Sequence, residues 1–330
     1  MYIFYLLPGI ISLFFLHKIS KIINLYDIPK TSRKKKLQKK PISLIIGLVL
    51  LLNISSFLII NFFLESVTKL NLIILVLINL SYFLGYFDDL KNLNPLTKTV
   101  TIFFILILFV PLESNLILHE MRFKNLFENT ISLKHSSIFI TIFFIYIFCN
   151  FLNFSDGANG IALSLSIFFI SILIFERGYG TDLEILTLIT LIICLFVNLT
   201  NISFLGNSGV FLLGTLIPIF YIKDYNTVRT FFCDEIFLIF FIPGIDMTRL
   251  VIERSIKKTS IARADFNHLH HYIIKSFGEK KCFVFYVAIS VIPFFLSKFY
   301  SDLKILIPFC FLFYLIIFLF FKRGIKNFYS

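Results

Sequence analysis

The sequence predicts an all-α fold, a polytopic membrane bundle of about eleven transmembrane helices, and two observations lead to this prediction. Of the 330 residues, 58% are hydrophobic, and the mean hydropathy is +0.90. Soluble domains hold roughly 45–50% apolar residues, and a soluble chain of this length could not cover so much apolar surface. The apolar residues also form runs of the length that a membrane span requires. We therefore expect residues 1–330 to form one transmembrane domain.

The apolar runs are separated by polar segments, and each run approaches the roughly 17–25 residues that cross a bilayer. The first run is interpreted as a retained span, because it has neither a basic segment before it nor a small-residue cleavage site after it. The predicted spans are 2–17, 42–63, 70–87, 100–118, 137–153, 160–176, 184–200, 208–222, 233–252, 282–297 and 303–321.

Lysine and arginine set the predicted orientation. They concentrate in the segments 18–40, 254–281 and 322–326. With eleven spans these segments lie on one side of the membrane, which the positive-inside rule makes cytoplasmic, so the N-terminus is outside and the C-terminus is cytoplasmic. This bias and attraction to anionic lipid or phosphate explain the net charge of +12, so no nucleic-acid partner is implied. The five cysteines form no CxxC pair and are interpreted as core residues.

A polar reversal at residues 153–160 is the most informative stretch. It reads Asn-Phe-Ser-Asp-Gly-Ala-Asn-Gly and joins the apolar runs 138–152 and 161–175. Gly157 and Gly160 allow a tight reversal, so a plain interhelical turn is one interpretation. Asp156 and the neighbouring side-chain amides favour the other interpretation, a functional site, because such groups are costly near lipid without partners.

Three further polar clusters fall on the same predicted face, and the first is the pair Asp88 and Asp89. Adjacent carboxylates at a helix C-terminus face a negative dipole and need a compensating cation. Mg²⁺ is the expected ion, because it takes hard oxygen ligands and shares them with substrate phosphates. The alternative is a solvated helix end that Lys91 and Lys98 neutralise.

The other two clusters are residues 206–209 and 268–271. Backbone N–H groups of Gly206 and its neighbours can hold a phosphate at a helix start, although a structural turn explains the glycines equally well. His268 and His271 share a helix face at i, i+3 spacing. We favour phosphate contact or proton transfer over transition-metal binding there, because no cysteine accompanies them. A surface histidine cluster is the alternative.

With these clusters in order, the chain resembles the polyprenyl-phosphate N-acetylhexosamine-1-phosphate transferases over nearly its whole length. The order, spacing and common membrane side of the motifs carry the resemblance. The matching residues are Asp27-Ile28-Pro29, Arg33-Lys34, Gly85, Asp88, Asp89, Pro95, Lys98, Asn150, Asn153, Asp156, Gly157, Asn159, Gly160, Ala162, Asn198, Phe204-Leu205-Gly206, Ser208-Gly209, Pro243, Asp246, Asp265 and His268-Leu269-His270-His271.

The resemblance implies a single transmembrane transferase domain in a bacterial inner membrane, with its site on the cytoplasmic face. It implies transfer of an N-acetylhexosamine 1-phosphate from a UDP-sugar to undecaprenyl or another polyprenyl phosphate, which yields polyprenyl-diphospho-sugar and UMP. This would be the first membrane step of a cell-envelope glycan, such as cell wall or O-antigen. The implied partners are both substrates and the lipid bilayer, and the sequence is also consistent with a homodimer.

The resemblance also assigns expected roles to individual residues. The expected catalytic residues are Asp88, Asp89, Asp156 and His268. The expected substrate-binding residues are Lys98, Asn153, Asn159, Asn198, Gly206, His270 and His271. The expected metal ligands are Asp88, Asp89 and Asn207, with Mg²⁺ as the ion and Mn²⁺ as an alternative.

One departure concerns the metal, since Asn207 stands where the family has an aspartate. An amide oxygen ligates Mg²⁺ without contributing charge, so we expect either weaker metal binding or a larger share of the site for Asp88 and Asp156. The His-Leu-His-His motif is similar to the N-acetylglucosamine branch, whereas the branch that forms lipid I carries three consecutive histidines. Two alternatives stay open: a non-catalytic scaffold that binds polyprenyl phosphate, and a transporter. Transporter sites lie near the bilayer midplane, whereas these clusters lie at span ends.

Overall fold

The computed structural model describes residues 2–23, 25–27, 41–64, 68–125, 130–259 and 267–326. Within these ranges, eight helical segments are long and apolar enough to cross a membrane. They are Ile46–Phe63, Lys69–Lys91, Pro95–Leu112, Lys134–Ser155, Asp182–Leu199, Gly206–Thr227, Lys281–Phe299 and Leu303–Lys322. A polytopic helical membrane protein is thereby confirmed, while the count of eleven spans and the orientation stay predictions.

The described helices follow one another in chain order with short connections. They are α1 (Tyr2–Phe14), α2 (Leu16–Ile22), α3 (Ile46–Leu64), α4 (Lys69–Lys91), α5 (Pro95–Phe109), α6 (Ser137–Ser155), α7 (Ile161–Arg177), α8 (Asp182–Leu199), α9 (Gly206–Thr227), α10 (Cys233–Ile239), α11 (Phe241–Ile256), α12 (Leu269–Phe277), α13 (Glu279–Phe299) and α14 (Leu303–Lys326). Two small antiparallel sheets, absent from the all-α prediction, pair β1 (Tyr26–Asp27) with β2 (Ile42–Ser43) and β3 (Glu120–Arg122) with β4 (Thr130–Ser132).

The ninth predicted span, 233–252, is not one helix. It divides into α10 and α11 at Phe240. Pro243 explains the break, because it has no N–H to donate to the carbonyl of Ile239, one turn earlier. The Phe240 ring then packs into the core, with its centroid 5.0 Å from Phe148 and 4.8 Å from Phe169 in edge-to-face contacts. The break therefore places the polar helix α11 beside the bundle.

Helix α9 is the centre of the bundle, and α3, α4, α6 and α7 pack against it. Glycines bring the crossings close. A Cβ atom on Gly85 of α4 would lie 2.3 Å from the carbonyl oxygen of Asn207 at the start of α9. A Cβ atom on Gly214 would lie 2.8 Å from Cα of Cys149 in α6. Small residues let membrane helices approach in this way, and here they bring the end of α4 onto the start of α9.

The two ends of the bundle have different polar structures. The site end contains the C-termini of α4, α6 and α8 and the N-termini of α5, α7 and α9. At the far end, Arg177 lies between two buried acids, with Nη1 3.2 Å from Oε1 of Glu184 and 3.5 Å from Oδ1 of Asp224. Asp224 also accepts hydrogen bonds from the hydroxyl and N–H of Thr230, at 2.9 and 3.3 Å. The far end is thus closed by a compact ionic network.

Candidate functional site

Asp89 joins α4 to the start of α9. Its Oδ1 accepts the N–H of Asn207 at 2.9 Å, and its Oδ2 accepts the N–H of Ser208 at 3.0 Å. A carboxylate is favourable there, because the first N–H groups of a helix lack intrahelical partners and carry the positive end of its dipole. Two of the four predicted polar clusters therefore form one unit.

This contact changes the interpretation of Gly206. The sequence predicted that N–H groups at this helix start hold a phosphate, but the carboxylate of Asp89 already occupies the N–H groups of Asn207 and Ser208. Gly206 has φ +71°, and a Cβ atom on it would lie 2.8 Å from Oδ2 of Asp89. The glycine allows the carboxylate to approach, and its predicted contact with substrate stays a prediction.

Asp88 faces a different partner. It is buried, and its Oδ2 lies 2.7 Å from Nζ of Lys98 near the start of α5. Its Oδ1 accepts the N–H of Leu93 at 2.9 Å, in the turn between α4 and α5. The two adjacent carboxylates thus have separate partners, as their helical spacing implies, and Asp88 holds the ammonium group of Lys98 in place.

Amides hold the reversal at 153–160 to the neighbouring helix ends. Asn198 is buried at the end of α8, and its Oδ1 accepts the N–H of Gly160 at 2.7 Å. Asn153 donates from Nδ2 to Oδ1 of Asn207 at 3.0 Å, and Asn159 donates to the side chain of Asn201. Asn198 therefore fixes the shape of the reversal, while Asn153 links the reversal to the start of α9.

Asp156 carries the least compensated charge of the site. Asp156 follows the last residue of α6, and its side chain is exposed to solvent. Desolvation by the surrounding protein, and then repulsion from Asp89 and Asp27, raise the pKa of the Asp156 carboxyl well above its ordinary value. An ionised Asp156 consequently favours a nearby cation.

The histidine segment closes the site from the opposite side. His270 is buried, and a Cβ atom on Gly157 would lie 2.1 Å from its Nε2, so the imidazole rests directly on the reversal. Within the described part of the chain, neither of its ring nitrogens has a hydrogen-bond partner. Burial, and then the charges of His271 and His268, lower its pKa well below the ordinary value. His270 is therefore a neutral imidazole at physiological pH.

His268 and His271 lie beside this imidazole. The ring centroid of His270 is 5.0 Å from that of His268 and 4.2 Å from that of His271. The ring of Phe154 lies 5.4 Å from that of His268, and the guanidinium of the buried Arg254 lies over Phe154 at 5.4 Å. The histidines, the reversal and α11 thus meet at one place.

The carboxylates suit a divalent cation that is shared with substrate. Among the residues that the structure describes, no three His, Cys, Asp or Glu side chains are placed to bind one metal ion. Mg²⁺, however, is usually held by one or two carboxylates together with substrate phosphates. Asp89 and Asp156 act on each other electrostatically, and each carboxylate oxygen of Asp89 keeps a second lone pair. These two residues fit that role better than Asp88, which faces Lys98.

The structure therefore brings the predicted site residues to one end of the bundle. Asp89, Asn207 and Asn153 form a hydrogen-bonded chain, and His270 contacts the reversal through Gly157. The predicted catalytic, binding and metal roles stay predictions. Asp265, Ile28, Pro29, Arg33 and Lys34 lie outside the described residues.

Sequence reasoning gave no role to Asp246, which is buried beside the histidine segment and contacts Arg249 and Tyr314. A signal was present in the sequence, since an aspartate and an arginine stand three residues apart inside a mostly apolar run. Within a membrane span, such a pair indicates a functional or structural contact.

Fold and site define an integral membrane protein with an acidic, amide-rich and imidazole-bearing site at one end of its helical bundle. Residues 71–224, somewhat less than half of the chain, match the model of glycosyl transferase family 4. The chain is also 30% identical over 146 residues to a probable undecaprenyl-phosphate N-acetylglucosaminyl 1-phosphate transferase of Bacillus subtilis (strain 168). This similarity covers 42% of the chain and 40% of the relative. The histidine segment lies beyond the family match.

Proposed function

We propose that the chain transfers an N-acetylhexosamine 1-phosphate, of the N-acetylglucosamine type, from a UDP-sugar to polyprenyl phosphate. The observation that carries this proposal is the convergence of four polar clusters at the site end, joined by the Asp89 contact and by the packing of His270 on Gly157. The match of residues 71–224 to the model of glycosyl transferase family 4 and the similarity to the Bacillus relative support it.

In the proposed reaction, an oxygen of the polyprenyl phosphate attacks the phosphorus that is bonded to the sugar. The bond from that phosphorus to an oxygen of UMP breaks, and UMP leaves with the bonding electron pair. A phosphate monoester has a second pKa of about 6, so the acceptor is largely dianionic at neutral pH. The site therefore needs to position and neutralise charge more than to remove a proton.

The cationic and polar residues suit that requirement. Lys98, held by Asp88, presents an ammonium group at the start of α5, and it is proposed to contact a phosphate. His268 and His271 are proposed to contact the donor from the α12 side, while Asn153 and Asn159 contact its nucleotide. A Mg²⁺ ion held by Asp89 and Asp156 would supply charge neutralisation for the diphosphate when bound.

A groove between α11 and α14 suits the polyprenyl chain. It has a volume of about 380 Å³ and is lined mainly by apolar side chains, including Ile245, Ile252, Phe311 and Leu315. Arg249 and Lys257 also line it, and both form ion pairs with Glu253 of the same groove. The apolar lining suits the hydrocarbon chain of the lipid phosphate, while the charges of the groove are already paired with one another.

The test is turnover by the purified protein with Mg²⁺, UDP-N-acetylglucosamine and undecaprenyl phosphate. We expect release of UMP together with a lipid product whose mass equals the acceptor plus N-acetylglucosamine phosphate. Lys98→Ala should lower the rate by about a hundredfold, as removal of a charge-stabilising group does in phosphoryl transfer. Absence of UMP with every UDP-N-acetylhexosamine tried would contradict the proposal.

A non-catalytic scaffold is the second candidate, and the Asn153–Asn207 amide pair favours it. This pair stands where the resemblance places an anionic metal ligand. Asn207→Asp separates the two candidates. An enzyme should retain or raise its turnover with that carboxylate, whereas a scaffold should bind undecaprenyl phosphate and release no UMP in either form.

A further inference from the structure

We propose that Asp246 is a positioning residue, whose carboxylate fixes the start of α12 and thereby sets the histidine segment against the reversal at 153–160. The inference concerns the geometry of the site, and only its activity measurements rest on the proposed function. Asp246 lies on α11, in the second turn after the break at Phe240.

The carboxylate of Asp246 accepts hydrogen bonds from residues of α11, α12 and α14. Asp246 is 3% exposed. Its Oδ1 accepts the hydroxyl of Tyr314 in α14 at 2.7 Å and Nη2 of Arg249 at 2.8 Å. Its Oδ2 accepts the N–H of Leu269 at 3.2 Å. An aspartate that is so buried and so fully hydrogen-bonded does not reach the reacting groups, so its role is to hold other residues.

The contact with Leu269 supplies the cap that α12 otherwise lacks. Leu269 is the first residue of α12, and the preceding His268 makes no side-chain capping bond. The first N–H groups of a helix need partners, and a carboxylate there also interacts favourably with the dipole. Because α12 has 9 residues, it is too short to be stable in isolation and depends on such contacts.

Arg249 holds Asn267, the residue before the histidines, in the same network. Its Nη2 donates both to Asp246 and to the carbonyl oxygen of Asn267, the latter at 2.6 Å. Its Nε donates to the Tyr314 hydroxyl at 2.8 Å. Removing the charge of Asp246 would leave the buried guanidinium of Arg249 without its main counter-charge. The contacts of Arg249 with Asn267 and Tyr314 should weaken as a result.

The position of α12 determines where the histidine side chains lie. Oδ2 of Asp246 lies 4.0 Å from Nδ1 of His268. His270 packs on Gly157 and accepts, at its backbone carbonyl, a hydrogen bond from Sγ of Cys282 at 3.4 Å. A shift of α12 therefore moves the imidazoles relative to the reversal and uncovers the buried Cys282 thiol.

Asp246→Asn tests the proposal, because it replaces one acceptor oxygen by an amide that repels the same donors. We expect kcat/KM for UDP-N-acetylglucosamine to fall by about tenfold to a hundredfold, mainly through a higher KM for this donor. Labelling of Cys282 by a maleimide, located by peptide mass mapping, should accelerate at least about tenfold, and this readout requires no turnover.

Asp224→Asn is the matched control. Asp224 is equally buried, and it too faces an arginine, a backbone N–H and a hydroxyl, but at the far end of the bundle. A general loss of stability affects both variants alike, whereas the donor KM and Cys282 labelling should change only in Asp246→Asn. Tyr314→Phe removes a single hydroxyl from the same network and should shift both readouts in the same direction by about threefold.

Wild-type labelling of Cys282 and a wild-type donor KM in folded Asp246→Asn would overturn the proposal. If Asp246→Asn does not fold, the same two results in Tyr314→Phe would overturn it. If the wild-type protein releases no UMP, the proposed function fails, and the labelling comparison with Asp224→Asn still decides whether Asp246 positions α12.

Discussion

The surroundings of Asp156 disfavour the ionised form of its carboxyl group. Desolvation and the charges of Asp89 and Asp27 disfavour ionisation, so the pKa of the Asp156 carboxyl lies well above its ordinary value. In a folded protein such a group costs stability at every pH where it is ionised. Ionisable groups with strongly shifted pKa values are concentrated at functional sites, so this property marks Asp156 as a candidate functional residue.

We expect Asp156→Asn to raise the thermal midpoint at pH 7.5 and to lower turnover by at least about a hundredfold. The folded pKa is raised, so ionised Asp156 costs stability above that pKa, and the gain from the amide should disappear as pH falls toward about 4. Thermal unfolding between pH 4.5 and pH 7.5, about the ends of that window, and UMP release measure the two effects. Asp182→Asn, at an exposed acid in the first turn of α8, should give no such gain.

The pKa of His270 makes the stability of the protein depend on pH in the opposite direction to the pKa of Asp156. Its pKa is lowered in the folded protein, while the unfolded chain takes up the proton near pH 6.5, its ordinary pKa being about that value. Above about pH 6.5 the residue is neutral in both states and does not affect the pH dependence. Below that pH only the unfolded chain is protonated, so stability falls with pH until the folded pKa is reached.

We therefore expect the free energy of unfolding of the wild-type protein to fall more steeply below about pH 6.5 than that of His270→Gln. Denaturant or thermal unfolding at pH 7.5 and about pH 5.5 measures this difference. His271→Gln, which removes the less buried imidazole, is the control and should keep the wild-type pH dependence. An equal loss in wild type and His270→Gln would show that His270 is not the group responsible.

At the scale of elements, the α4–α9 crossing determines where Asp89 lies. Gly85 allows the backbone of α4 to contact the carbonyl of Asn207, one turn before Asp89 reaches the N–H groups of α9. The geometry of the candidate site around Asp89 therefore depends on the absence of a side chain at Gly85, one turn away from the carboxylate.

We expect Gly85→Ala to destabilise the protein by about 1–3 kcal/mol and to reduce turnover, because the new methyl group meets backbone atoms that cannot yield separately. Gly244→Ala is the control, since a Cβ atom at Gly244 would meet nothing within 4 Å. Alanine in α11 should leave stability unchanged or raise it by about 0.5–1 kcal/mol. Thermal unfolding and UMP release compare the two variants, and equal stabilities would contradict the crossing argument.

For the whole molecule, local pattern predicted the helices well, because a bilayer demands long apolar segments and the chain supplies them. The helix of the third predicted span, 70–87, is Lys69–Lys91, and the sixth span, 160–176, coincides with Ile161–Arg177. The prediction of 233–252 as one helix was wrong. Hydropathy measures only how apolar a segment is, so it does not detect that Pro243 lacks the N–H needed to continue the helix. The two small sheets were missed because pairs of short strands leave almost no periodic signal.

The candidate site was predicted as a set of residues but not as a set of contacts. Sequence placed Asp89 and Asn207 on one membrane face, yet it did not show that the carboxylate occupies the N–H groups proposed for phosphate. It placed the histidines there too, without the buried Asp246 that holds them. Both misses involve partners far apart in the chain, which adjacent residues do not reveal.

The carboxylate side and the imidazole side of the candidate site are held by different kinds of contact, and this has a consequence for ligand design. Glycine crossings of long helices fix the carboxylate side, whereas a single short helix anchored by one aspartate carries the imidazole side. A compound that bridges both sides would draw part of its affinity from keeping α12 docked. Its affinity would fall in Asp246→Asn, while a compound that touches only the carboxylate side would bind both proteins equally.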